Sequence, residues 1–288
     1  MKKIGALILI IILAVLCCSC RGNDIDPLFK GNWGASVSLS DRSTELSDKI
    51  NSLIEAEDGM RTFRLFGWDS YVLSVALKIE ESDGLLTEQT HIEKLKLNCR
   101  MSDGAFAAAG DIKMSVSVLC DGKPVPLYTE GKTYVKDGHH YVSTRIDNSG
   151  ETIKKMFSCS SFSDIIIFEI SEKMPPLYSV IYGLLGGDIS GVKAYIDDSG
   201  AKTKLKLEYD VNYLADNSDV ILGETVTADD IKFRSFYTVL VWDESGEFIG
   251  LRIVLDADVN SLINFWDISV KSVSVNIEFP DDLGTYSK

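Results

Sequence analysis

Glu130-Gly131-Lys132-Thr133 carries the ending of a phosphate-binding loop, in which backbone N–H groups at a helix start hold phosphate oxygens and the lysine adds charge. The motif's first glycine would fall at Pro126, and the segment lies between two strand patterns, so a hairpin turn reads better. His139 and His140 are adjacent on a strand pattern and point to opposite faces, while His91 stands apart; a histidine zinc site lacks its remaining ligands. Asp256, Asp258 and Asn260 alternate, with Asn264 and Asp267 where a twelve-residue calcium loop has its ninth and twelfth positions. Ser261 replaces that loop's glycine and Asp267 is shorter than its bidentate glutamate, so a polar strand end running into a loop is the simpler reading. There is no Gly-x-Ser-x-Gly elbow and no Cys/His nucleophile pair at recognisable spacing. The paired acids Asp197-Asp198, Asp229-Asp230 and Asp281-Asp282 read as turn residues. The expectation is a protein that is not an enzyme, with no metal and no cofactor.

Composition narrows the partners. The 288 residues are 45% hydrophobic and 25% charged with only 6 Pro, enough apolar side chain for a sizeable core and too much for a disordered chain. Net charge is -14, which repels phosphate backbones and makes nucleic acid a poor partner.

The chain opens on Met1-Lys2-Lys3 and an apolar run from Ile4 to Leu16, then Cys17-Cys18-Ser19-Cys20 and polar sequence. Positive n-region, short h-region and small residues at the cut describe an export signal. From Ile4 to Cys18 there are 15 residues, short of the roughly 20 that cross a bilayer core; an uncleaved signal anchor is the alternative. A cysteine right after the h-region resembles the lipobox of bacterial lipoproteins. That resemblance implies a diacylglyceryl group on Cys20, behind Ser19, with Cys18 as the alternative acceptor and Cys17 where leucine is usual. Two acyl chains give stable attachment where one is marginal, so the expected product is exported and tethered to the outer face of the cell membrane or facing the periplasm. The body keeps Cys99, Cys120 and Cys159: either Cys99 and Cys120 form a disulfide, or the thiols are small buried apolar groups.

The expected organisation is a signal peptide over 1–19, a tether over 20–40 and a single domain over 41–288. One amphipathic helix is expected near Asp41–Asp58, with Leu46, Ile50, Leu53 and Ile54 on one side. Period-2 alternation then predicts strands through Tyr71–Ile79, Leu95–Leu97, Ile112–Val118, Leu205–Tyr213, Ile231–Phe233, Tyr237–Val241, Ile249–Leu255 and Val273–Phe279. Asp121-Gly122, Glu130-Gly131, Asp137-Gly138, Asp198-Ser199-Gly200 and Glu244-Ser245-Gly246 predict turns. Glu151–Phe157 and Leu177–Leu185 read as short helices, and Ile165–Phe168 as a buried strand or a helix turn. The expected fold class is α+β: a strongly curved antiparallel sheet, a half-barrel, wrapped around helices.

An exported lipoprotein of this pattern resembles the LolA/LolB half-barrels and the related LppX/LprG lipoproteins. Tyr128 to Val142, two Tyr-Val strand segments around Lys136-Asp137-Gly138, is similar to a hairpin common there, and Val241 to Arg252 resembles a late hairpin. The helical segment 150–187 takes the place of that family's lid helices. The resemblance implies an apolar cavity that receives acyl chains and carries over no catalytic residue. Cavity candidates are Leu205, Leu207, Tyr209 and Val211; Val239, Val241, Leu251 and Ile253; Val275 and Ile277; with Leu177, Ile181 and Leu184 as lid. Any sheet packed on helices needs such a face, so ordinary core filling is the competing reading. Binding or shuttling a lipid or acylated ligand without chemistry is the expected function. The alternative is an accessory lipoprotein with a packed core that docks a membrane protein partner.

Overall fold

The computed structural model describes residues 25–37, 54–57, 60–63, 68–82, 87–102, 105–120, 123–146, 150–158, 192–210, 231–259 and 261–288. Among them there is no α-helix. Thirteen strands occur: β1 (Ile54–Glu57), β2 (Met60–Phe63), β3 (Ser70–Ser82), β4 (Thr87–Ser102), β5 (Ala105–Cys120), β6 (Lys123–Lys136), β7 (His139–Ile146), β8 (Thr152–Ser158), β9 (Val192–Asp197), β10 (Thr203–Tyr209), β11 (Ile231–Trp242), β12 (Phe248–Val259) and β13 (Leu262–Ser272). Eleven form one antiparallel sheet in the order β8-β7-β6-β5-β4-β3-β13-β12-β11-β10-β9. Two meanders, β3 to β8 and β9 to β13, are thus joined where β13 pairs with β3. β1 and β2 form a separate hairpin.

The α+β expectation is therefore corrected to an antiparallel β fold among the described residues. Ile54-Glu55-Ala56-Glu57, read as the end of a helix, is β1. Apolar and acidic residues alternate there with period 2 as well as they fit a helix, and Arg61 and Met60 lie opposite Ala56 and Glu57, so pairing decides. The rest of that helix, the Leu177–Leu185 helix and the Ile165–Phe168 segment lie outside the described residues. Glu151–Phe157, also read as a helix, is mostly β8, with Ile153 opposite Thr144 and Phe157 opposite His140. β-branched Thr152 and Ile153 fit a strand better than a helix turn, and Lys154 and Lys155 suit an edge strand.

Glu130-Gly131 is no turn. It lies inside β6, where Gly131 is opposite Ile112 of β5 and Thr144 of β7. A Cβ on Gly131 would lie 1.9 Å from the carbonyl oxygen of Ser143, and one on Gly110 1.8 Å from that of Lys96. At both places a neighbouring backbone occupies the room a side chain would need, so the glycines mark a bend between strands. Val273–Phe279 is not a strand either; it is a tail running from β13, and the missed strand is Leu262–Ser272. Asp137-Gly138 is the expected tight turn, both residues at positive φ, 50° and 72°, as a type I′ hairpin requires. At the β11–β12 turn Asp243 Oδ1 accepts from the Ser245 and Glu247 N–H groups at 2.9 and 3.0 Å, with Gly246 at φ 84°.

Both sheet edges are partly covered by chain ends, which limits edge-to-edge pairing. Val37 N–H donates to Ala194 O of β9 at 2.8 Å, and Met156 N–H of β8 to Ser287 O at 2.8 Å.

Candidate functional site

Cross-strand partners share a face, so register defines two surfaces. One is apolar. Ile196, Leu205, Leu240, Leu251, Val270, Leu73 and Leu97 are successive Cα partners across seven neighbouring strands, an uninterrupted track of about 29 Å at strand spacing. It ends at Gly110 of β5. Leu207, Tyr209, Ile253, Ile268 and Trp266 extend the same buried cluster to either side.

Five of the predicted cavity residues are together on this face: Leu205, Leu207, Tyr209, Leu251 and Ile253. Val239 and Val241 are not with them. They stand on the opposite face, packed with Phe29, because Val239 is the partner of Arg252 and Leu240 that of Leu251. Tyr237 to Trp242 is apolar at both parities, so alternation alone offers two equivalent choices. Val275 and Ile277 lie in the tail beyond β13; Ile277 is buried. Leu177, Ile181, Leu184, Val211 and Cys20 lie outside the described residues.

Cys99 is a free, buried thiol. Its Cα partner is Ala108, whereas Cys120 is opposite Lys123 at the other end of β5, about 40 Å along the strand at 3.3 Å per residue; no Cys99–Cys120 disulfide forms. Burial pushes the Cys99 thiol up to about 12, which makes it a small core residue and a poor nucleophile.

The second face is polar and crossed by both chain ends. The segment Asp26–Gly34 lies over β11 and β12 as a strap. Asp26 caps a 3-10 turn by accepting from Leu28 N–H at 3.0 Å, and Phe29, 3% exposed, packs on Val239 and Val241. Gly250 leaves the room: a Cβ there would lie 2.9 Å from Leu28 Cδ2 and 3.1 Å from Phe29 Cε1. Asn32 N–H donates to Asp197 Oδ2 at 2.9 Å, and the strap reaches the edge of β9 at Val37. From β13 the tail crosses to the other edge, setting Phe279 against Tyr134, Tyr286 edge-on to Tyr141 at 5.6 Å, and Asp282 on Lys154.

The acids that suggested a calcium loop are held by arginines. A bulge between Phe233 and Ser235 leaves Arg234 without a partner residue on β12, and such a bulge re-aims a side chain: Arg234 bonds Asp256 at 2.6 Å and Asp258 at 2.5 Å. Asp267 takes two bonds from Arg252, 2.8 and 2.7 Å. Asn260 lies outside the described residues. Three carboxyl groups move below their ordinary value. Ser199 and Asn32 N–H lower Asp197, and Ser245 lowers Asp243. For Asp26 burial works against ionisation, but bonds from Lys271 and Leu28 N–H outweigh it. These are structural carboxylates kept charged by their donors.

Between the strap and β3, β4, β12 and β13 the polar face holds a cavity of about 370 Å3. A second bulge shapes it: Ile92 is opposite Met114 and Lys94 opposite Lys113, leaving Glu93 extra on β4. The bulge brings Glu93 and Lys94 to the cavity together with Lys96. Sequence reading missed this site, since its residues come from five separate segments and no local spacing links them.

No protein-family model matches the chain. No curated protein matches it. Among solved structures it is similar to a porin-like protein from Bacteroides uniformis, at 8% identity over 71% of this chain and 95% of that one, with a TM-score of 0.16. A likeness of that size carries no argument about fold or function.

His140 supplies a pH test of the apolar face. Its Nε2 is 2.6 Å from Thr133 Oγ1, its Nδ1 meets no hydrogen-bond partner among the described residues, and burial pushes its pKa down to about 4. The unfolded chain takes up that proton near pH 6.5, so stability present above pH 6.5 is lost as pH falls towards 4. Between pH 7 and 5 the loss is about 2 kcal/mol for such a shift. Urea titrations should show wild type losing that much more than His140→Phe over this interval. Equal losses would mean that the imidazole is not desolvated.

Proposed function

We propose that this chain is an exported lipoprotein, anchored through Cys20, that holds a lipid or acylated ligand against the apolar face of its sheet and leaves it chemically unchanged. The uninterrupted track from Ile196 to Leu97 carries this reading: its side chains are uncharged, all but Ile196 are buried within the protein, and its length suits an extended acyl chain. Moving an acyl chain from bilayer to such a face exchanges one hydrocarbon environment for another. The roughly 0.8 kcal/mol per methylene therefore largely cancels and transfer can run both ways. The other face carries the charged side chains and is crossed by the strap and the tail.

Native mass spectrometry with lipid extraction, on a form beginning at Arg21, tests the reading. The expected result is a co-purifying lipid that is lost when Leu207 is replaced by Trp, whose bulk would fill the face beside Leu205 and Thr238. A homogeneous empty protein that takes up neither fatty acids nor phospholipids would end the proposal and favour a packed core that docks a membrane partner.

A further inference from the structure

The cavity on the polar face is built from parts whose charges do not cancel. Arg252 is occupied by Asp267 and Lys271 by Asp26. Glu93 turns to Lys113, outside the cavity lining, at 2.5 Å. Lys94 and Lys96 are exposed at its rim and form no ion pair among the described residues. Lys96 is close enough to Asp26 to help keep that carboxylate ionised. Two positive charges thus face one concave site in a chain whose net charge is -14. Beneath them are the hydroxyls of Ser74 and Ser269, Cα partners on β3 and β13. Phe29, Ile25 and Val72 supply an apolar wall.

We propose that this cavity binds a phosphate-bearing anion, its oxygens held by Lys94, Lys96, Ser74 and Ser269. A planar carboxylate is matched best by an arginine fork, and the arginine here is already engaged by Asp267. Two ammonium groups and two hydroxyls converging from different strands fit a tetrahedral phosphate group, whose acceptor oxygens point in different directions. The volume lies within the range of small-ligand sites, and the apolar wall leaves room for a short organic group on the phosphate. Lys94 and Lys96 share the polar face through regular alternation about Leu95, and the bulge inserts Glu93 ahead of them, so that Ile92 returns to the apolar face. The site is on the opposite face from the acyl track and does not depend on it.

Two sources share this chemistry, a soluble phosphomonoester and a phospholipid headgroup. The test is isothermal titration of the full chain in dodecyl maltoside micelles with glycerol 3-phosphate and, separately, with phosphatidylglycerol added to the same micelles. Saturable binding of glycerol 3-phosphate at one site per chain assigns the soluble source. Saturation by phosphatidylglycerol alone assigns the headgroup. In either case Lys94→Gln and Lys96→Gln should each weaken binding about tenfold and the double variant about a hundredfold, as loss of charge-assisted hydrogen bonds does. Both lysines are exposed, so far-UV circular dichroism of the variants should match wild type. No saturable binding of either probe, unchanged affinity in the double variant, or equal competition by acetate overturns the proposal.

Discussion

Arg252→Met is expected to destabilise the protein by about 3–5 kcal/mol, the size that follows when one partner of a buried ion pair is removed. The guanidinium and the Asp267 carboxylate are 9% and 14% exposed and share two hydrogen bonds. Removing the arginine leaves a carboxylate beneath the strap with its charge uncompensated. Loss of Arg252 also withdraws a cation from the Tyr237 ring, 5.9 Å away. The double variant Arg252→Met/Asp267→Leu should regain most of the loss, since it removes the stranded charge as well. Urea unfolding of the three variants measures this. A single variant within about 1 kcal/mol of wild type would place the pair among solvent-screened contacts, and the account of the cavity wall would fail with it.

Gly131→Ala should have an effect of similar size and opposite in sign to the usual one. In a strand interior, replacing glycine by alanine ordinarily stabilises by about 0.5–1 kcal/mol. Here the new methyl would overlap the Ser143 carbonyl, which is backbone and cannot rotate away. β6 and β7 must separate, at about 3 kcal/mol or more, and Gly110→Ala should do the same between β5 and β4. Gly200→Ala is the control, because nothing lies within 4 Å of its Cβ position. Thermal unfolding should drop by roughly 6–10 °C in the first two variants and stay near wild type in the third. A Gly131→Ala protein as stable as wild type would show that the strands do not close in at this point.

The glycine shows why the local reading went astray at Glu130-Gly131. Within a few residues, Glu-Gly-Lys-Thr carries the composition of a turn, and the demand for glycine comes from a carbonyl on another strand, 12 residues further along the chain. Sequence spacing holds no record of that approach. The same holds for Arg234, Arg252 and the acids they bind: alternate Asp256 and Asp258 look like cation ligands until a bulge on β11 brings an arginine across. In each case the residue type was visible and its partner was not.

Alternation within single segments was enough to place three strands of the sheet, in β3, β12 and β10. Tyr71–Ile79, Ile249–Leu255 and Leu205–Tyr209 alternate so regularly that one side of each had to be buried, and Asp137-Gly138 could close a hairpin because both residues accept positive φ. These properties depend on neighbours within one strand or one turn. The tertiary structure alone decided which side of Tyr237–Trp242 joins the apolar track, that Glu151–Phe157 pairs as an edge strand, that β13 is sewn to β3, and that Lys94 and Lys96 meet over Ser74 and Ser269. Those outcomes depend on register and bulges between strands distant in sequence, where a shift of one residue exchanges the two faces, and only the assembled sheet sets that register.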